Sequence, residues 1–201
     1  MTENTKRIPY RLIEQEQDTN SLLIVLPGAG YTTQAPVLYY TTSLFNAKGF
    51  DVLHINYSCS QQEIVTLKEE EFAKDVQGVI NIALEKREYS NLYIVAKSIG
   101  TVALSYLLNN RVFNDAKVVW LTPLLQRDAV YHAMLNNDHQ GLCIIGNEDQ
   151  CYIEERYEEL KKNENLHLML VEGGNHSLEL KREPIKSIEI LKSIISEIDE
   201  F

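Results

Sequence analysis

The chain has 201 residues, 44% of them apolar and 24% charged, the balance of one ordinary globular domain (1–201) with a sizeable core. Its 19 basic residues against 29 acidic ones leave a formal charge of −10, which argues against a nucleic-acid partner, since that would need a basic face. No run approaches the ~18 consecutive apolar residues of a membrane span. Met1 to Asn20 is polar and lacks the apolar centre of a signal peptide, so a cytoplasmic chain with no membrane partner is expected. The cysteines, Cys59, Cys143 and Cys151, are odd in number and lack metal-type spacing, which fits a reducing compartment better than a disulfide framework.

Along the chain, short apolar runs alternate with helical periodicity. Arg7–Glu14 is read as an added edge strand. Ser21–Pro27 reads as a buried strand that ends in Gly28-Ala29-Gly30. Tyr39–Lys48 is a predicted helix stopped by Gly49, and Asp51–Tyr57 a predicted strand. Glu63–Arg87 reads as one long helix, with Phe72, Val76, Val79, Ile80 and Leu84 on one face. Then come a strand at Asn91–Ala96, a helix at Ile99–Asn110, a strand at Lys117–Leu121 and a helix at Arg127–Asn136. Strand Leu142–Ile145, helix Tyr152–Lys162 and strand Leu166–Val171 follow, and a helix opening on Pro184 closes the chain. This alternation predicts an α/β fold, a mostly parallel sheet with helices on both faces. Such sheets bind ligands at the carboxyl ends of their strands. The residues that look chemical follow Leu26, Ala96, Ile145 and Val171, which are all such ends.

At the second of these strand ends the sequence runs Ala96-Lys97-Ser98-Ile99-Gly100 into a helix. A serine on a tight strand-to-helix turn needs small residues two positions before and two after it, and Ala96 and Gly100 are small. Its hydroxyl would be exposed at a helix N-terminus, with the N–H of Ile99 directed at a developing oxyanion. Read blandly, Ser98 is only an N-cap. A serine nucleophile needs a neutral imidazole to take its proton. His176, in the Gly173-Gly174-Asn175-His176 turn after the last strand, is placed to do so. His54 and His167 lie within strand patterns and read as structural; His132 and His139 read as solvated. The carboxylate that orients the imidazole is assigned to Asp149 in Gly146-Asn147-Glu148-Asp149, with Glu148 as a competitor. The N–H of Ala29, with Gly30 as the alternative, would supply the second oxyanion donor. Gly28-Ala29-Gly30 lacks the third glycine of a dinucleotide loop and no Gly-Lys-Ser/Thr follows, so a nucleotide site is excluded.

Taken together, Pro27-Gly28-Ala29-Gly30, the Ser98 turn, the Asp149 turn and Gly174-Asn175-His176 resemble the α/β-hydrolase superfamily. The resemblance runs from about Ser21 to the end. It is strongest to the small, lidless dienelactone-hydrolase-like branch, with its many uncharacterised esterase-like members. It implies a minimal α/β-hydrolase fold and a serine hydrolase of the carboxylesterase kind, acting on a small acyl ester, thioester or amide without metal or organic cofactor. The chain departs from the pattern at Ala96 (usually glycine), at Ser98 (a cysteine in true dienelactone hydrolases) and at Pro27 (often histidine). Family members commonly carry a helical cap after the strand that follows the serine helix. Thr122–Gln140 has room only for the crossover helix, so no cap domain and an open site are expected, with Gly30, Tyr31, Tyr57, Leu124 and Leu125 near its mouth. Tyr39 and Tyr40 are weaker candidates. Lys97 reads as a surface residue that could favour an acidic substrate. An acyltransferase on the same triad, a non-catalytic binding protein of this fold and a flavodoxin-like domain are the rival readings. The isoleucine-rich face of the last helix should mostly cover the sheet and would also suit a homodimer.

Overall fold

A computed structural model describes residues 8–201. Its seven-stranded sheet has the order β1-β3-β2-β4-β5-β6-β7. The strands are β1 (Tyr10–Ile13), β2 (Ser21–Leu26), β3 (Asp51–Ile55), β4 (Asn91–Lys97), β5 (Lys117–Leu121), β6 (Gly141–Gly146) and β7 (Leu166–Val171). All neighbours pair in parallel except β1, which runs antiparallel to β3 at the edge. The expected edge strand is thus present over Tyr10–Ile13; Arg7 lies outside the described residues.

Both sheet faces are covered, which is why the central strands read as unbroken apolar runs. From β2, Leu22, Ile24 and Leu26 enter one core while Leu23 and Val25 enter the other. Helices α1 (Pro36–Ala47) and α7 (Pro184–Glu200) close the second face through Val37, Leu38, Phe45, Ile194 and Ile198. Helices α3 (Glu69–Leu84), α4 (Gly100–Leu107), α5 (Asp128–Asn136) and α6 (Glu154–Leu160) close the first. On α7 only part of the isoleucine face is used: Ile185 and Ile188 are exposed. Among the described residues no helix is long and apolar enough to cross a membrane.

Several helix bounds differ from the sequence reading for local reasons. α1 begins at Pro36, three residues earlier than expected, because a proline at the first helical position loses no hydrogen bond. The expected long helix from Glu63 is two helices, α2 (Gln61–Val65) and α3. Ser60 starts α2 with a capping box: its Oγ accepts from the Glu63 N–H, and Glu63 accepts from the Ser60 N–H. Glu69, Glu70 and Glu71 then restart the helix where the N-terminal dipole favours acids. Between β5 and β6 there is only α5, so no cap domain is inserted.

The strand order fixes where a ligand can sit. From β2 the chain goes to β3 on one side and then returns to β4 on the other. That reversal opens a crevice at the carboxyl ends of β2 and β4. Gly28 follows β2 and Ser98 follows β4.

Candidate functional site

Ser98 is the first residue past β4 and has φ 52°, a left-handed conformation that is uncommon outside glycine. Its N–H donates to the Leu121 carbonyl at 3.0 Å, and its carbonyl accepts from the Thr101 N–H at 2.9 Å and the Thr101 hydroxyl at 2.6 Å. The turn is therefore held on both sides, and α4 follows at once. The need for small neighbours is steric: a Cβ on Gly100 would lie 2.4 Å from the Leu26 carbonyl oxygen. Ala96 fits fully buried between Leu26 of β2 and Trp120 of β5, so its methyl is accommodated.

The His176 loop and the Asp149 loop are built together. A Cβ on Gly146 would come within 1.9 Å of the Gly174 carbonyl oxygen, so the two loops touch through bare backbone. The Gly174 carbonyl accepts from the Glu148 N–H at 3.0 Å, and Asn147 Oδ1 accepts from the Gly173 N–H at 2.7 Å. Asn175 Oδ1 then accepts from the Ser177 and Glu179 N–H groups, which shapes the turn that presents His176. We expect Gly146→Ala to cost about 3 kcal/mol or more, since neither backbone can yield without parting the loops. Chemical denaturation of the variant checks this; a loss below about 1 kcal/mol would contradict the close approach.

These loops bring the sequence-predicted residues together. His176 Nε2 lies 2.8 Å from Ser98 Oγ. His176 Nδ1 lies 2.8 Å from both Asp149 oxygens. The Asp149 side chain is wholly buried, and its Oδ1 also accepts from the Cys151 N–H at 2.8 Å. Glu148, the competitor, is exposed. Asp149, Cys151 and His176 also carry ligand-type atoms within 4.8 Å of one another, a spacing that could hold a metal ion. Here both ring nitrogens are already directed, one at Asp149 and one at Ser98.

The cleft around Ser98 has a volume of 640 Å³. Gly28 closes its floor, where a Cβ would stand 3.5 Å from Ser98 Cβ. Ala29, Gly30, Tyr31, Ile99 and Leu124 line it. Among the described residues, the N–H groups of Ile99 and Ala29 have no protein acceptor. Tyr57 does not line this cleft: it is buried, and its hydroxyl donates to the Pro27 carbonyl under the loop. Leu125 is likewise core, and Tyr39 and Tyr40 sit exposed on α1, outside the cleft. Sequence reasoning missed Cys59, Ile64, Val65, Gln126, Arg127 and Cys151, all of which line it. Cys59 was the findable one, since it follows the carboxyl end of β3. Burial pushes the Cys151 thiol up to about 11.

The other histidines divide as follows. His54 is buried and shares a 2.8 Å hydrogen bond with the Thr42 hydroxyl; burial holds its pKa down at about 4. His167 projects from β7 beside Glu197, at 3.0 Å. His132 is exposed, but His139 is not simply solvated, since its Nε2 lies 2.7 Å from the Phe113 carbonyl oxygen.

Lys97 overturns its expectation. It is fully buried and has no route to an acidic substrate. Its Nζ donates to Thr122 Oγ1 and to the His176 carbonyl, each at 2.7 Å. The sequence gives no sign of this, because the strand pattern ends where Lys97 turns inward. Burial pushes its pKa down from 10.5 to about 7, with the Asp149 carboxylate opposing the fall. The unfolded chain therefore binds more protons than the folded one between those values. Stability should rise as the pH goes up from about 7 toward 10, by about 1.4 kcal/mol per unit at most. Lys97→Met should lack that rise. Urea unfolding of both proteins across this range checks it; parallel curves would refute it.

No family model and no curated protein matches this chain by sequence. Solved structures do match it in fold. An α/β-hydrolase candidate of unknown function from Agrobacterium tumefaciens superposes with TM-score 0.74 at 18% identity, over 94% of this chain and 89% of that one. An α/β serine hydrolase homologue from Coxiella burnetii gives 0.70 at 11% identity, over 94% and 90%. A lidless α/β serine hydrolase from Xanthomonas campestris gives 0.67 at 16% identity, over 95% and 88%. The chain has the α/β-hydrolase fold, in its form without a cap domain.

Proposed function

We propose that this chain is a single-domain serine hydrolase that cleaves a small acyl ester, or a thioester or amide, through a covalent acyl-enzyme. The observation that carries the reading is the relay of two 2.8 Å contacts, Ser98 Oγ to His176 Nε2 and His176 Nδ1 to Asp149. Ser98 attacks the acyl carbonyl while His176 takes its proton, and buried Asp149 holds the ring and stabilises the imidazolium. The N–H groups of Ile99 and Ala29 hold the oxyanion. His176 then protonates the leaving group and activates the water that frees the acid. The substrate lies against Gly30, Tyr31 and Leu124, and the chemistry calls for no metal or organic cofactor. Ester hydrolysis in solved proteins of this fold, such as an esterase from Pyrococcus furiosus, agrees with this choice.

The test is to treat the wild-type protein with a fluorophosphonate and locate the adduct by peptide mass spectrometry. A single adduct on Ser98 is expected, followed by turnover of short-chain p-nitrophenyl esters. An absent adduct in folded protein would remove the assignment and leave a binding protein of this fold; an adduct on another serine would remove Ser98 as the nucleophile.

A further inference from the structure

The lysine beside the nucleophile is an odd residue to bury. An ammonium removed from water is costly unless it is paired with an opposite charge and fully hydrogen-bonded. Among the described residues Lys97 makes no salt bridge. Its partners are neutral: the Thr122 hydroxyl, the His176 carbonyl, and the face of the Tyr31 ring, whose centroid is 4.6 Å from Nζ. A methionine or leucine would fill such space without that cost, so packing alone does not account for a lysine here.

One of those partners is strained. Thr122, the residue after β5, is fully buried with φ 44°. A β-branched residue in that region is a genuine outlier, and strain of this kind collects at functional sites. The Thr122 N–H donates to the Ile144 carbonyl at 2.7 Å, which locks the backbone while its hydroxyl meets Lys97. A lysine buried without a counter-charge and a strained threonine thus meet at one amino group, one strand away from Ser98.

We propose that Lys97 and Thr122 form a clamp that positions His176 for proton transfer with Ser98. Lys97 reaches from the end of β4 across to the loop after β7, and Thr122 holds it from the end of β5 between them. Asp149 fixes one edge of the imidazole, and the hydrogen bonds of Asn147, Glu148 and Asn175 hold the loop on either side of it. The Lys97 bond pins the peptide plane of His176 itself. The same amino group lies over Tyr31, whose hydroxyl accepts from the Val37 N–H and whose carbonyl accepts from the Gly28 N–H. The clamp therefore ties the loop carrying the base to the loop beside the nucleophile. Lys97 and Thr122 are positioning residues: neither reaches the cleft.

This inference rests on Ser98 and His176 being the reactive pair, and the experiment separates the two. Inactivation by a small fluorophosphonate is followed at several concentrations, giving the maximal rate and the half-saturating concentration for wild type, Lys97→Met, Thr122→Val and Thr122→Ser. Wild type must label on Ser98; if it does not, the proposed function falls and the clamp falls with it. Given labelling, Lys97→Met should lower the maximal rate by about 10- to 100-fold with little change in half-saturation, the range for partners that orient a reactive group. Thr122→Val, nearly the same shape without the hydroxyl, should lower it several-fold, and Thr122→Ser, which keeps the hydroxyl, should stay near wild type. Equal maximal rates in wild type and Thr122→Val, or a fall in Thr122→Ser as large as in Thr122→Val, would overturn the clamp while leaving the hydrolase reading intact. The Thr122 pair decides the matter even where Lys97→Met does not fold.

Discussion

Alanine at Ser98 or at His176 is expected to lower turnover of a p-nitrophenyl ester by about 10⁶-fold each, and the double variant to lose hardly more than either single one. The reason is that a nucleophile and its base act as a unit. Without His176, the Ser98 hydroxyl keeps its high pKa and attacks too slowly to matter; without Ser98, His176 has nothing to activate but water. Residual catalysis would then come only from the free N–H groups of Ile99 and Ala29 and from binding in the cleft. Both side chains are partly exposed at the crevice, so neither truncation opens a core cavity and both variants should melt close to wild type. Steady-state kinetics beside thermal melts checks this. Losses that added in full would mean that the two residues act separately, and the 2.8 Å contact between them would carry no chemistry.

The second large effect is at the acid. Asp149→Asn should lower turnover by about 10⁴-fold with little change in shape, because an amide placed at Nδ1 favours the wrong tautomer of the ring. The carboxylate is wholly buried and faces Nδ1 through both oxygens, so water cannot replace it. Glu148→Gln, on an exposed neighbour, should change turnover less than twofold. The pair of variants separates two carboxylates that stand side by side in the chain. A large loss in Glu148→Gln with Asp149→Asn nearly active would reverse the assignment.

The order of the elements and the residues brought together were legible in the sequence because they depend on local rules. Apolar runs too short for helices marked β2, β4, β5, β6 and β7, each within a residue or so at its ends. Small residues flanking Ser98 marked a tight turn, and the structure gives the reason in the 2.4 Å approach of a Gly100 Cβ to Leu26. The restart at α3 was also written locally, in the acids Glu69, Glu70 and Glu71, but the periodicity from Phe72 to Leu84 was extended back across Thr66 to Glu63.

What the chain by itself determined is therefore its alternation of strand and helix, its tight turns, and the positions of a serine, an acid and a histidine after three of its strand ends. Those follow from backbone sterics and hydrophobic spacing, which act over a few residues. Only the tertiary structure decided which neighbours matter. Periodicity says nothing about the direction of a side chain at a strand's last residue, so Lys97 read as exposed and is buried. Nor does it say what covers a strand end, so Tyr57 read as part of the cleft and instead supports the Pro27 carbonyl from below. Asp149 and Glu148 are equivalent by type and nearly so by position. The contact of Gly146 with Gly174, two residues far apart in the chain, turned one carboxylate toward His176 and left the other in water.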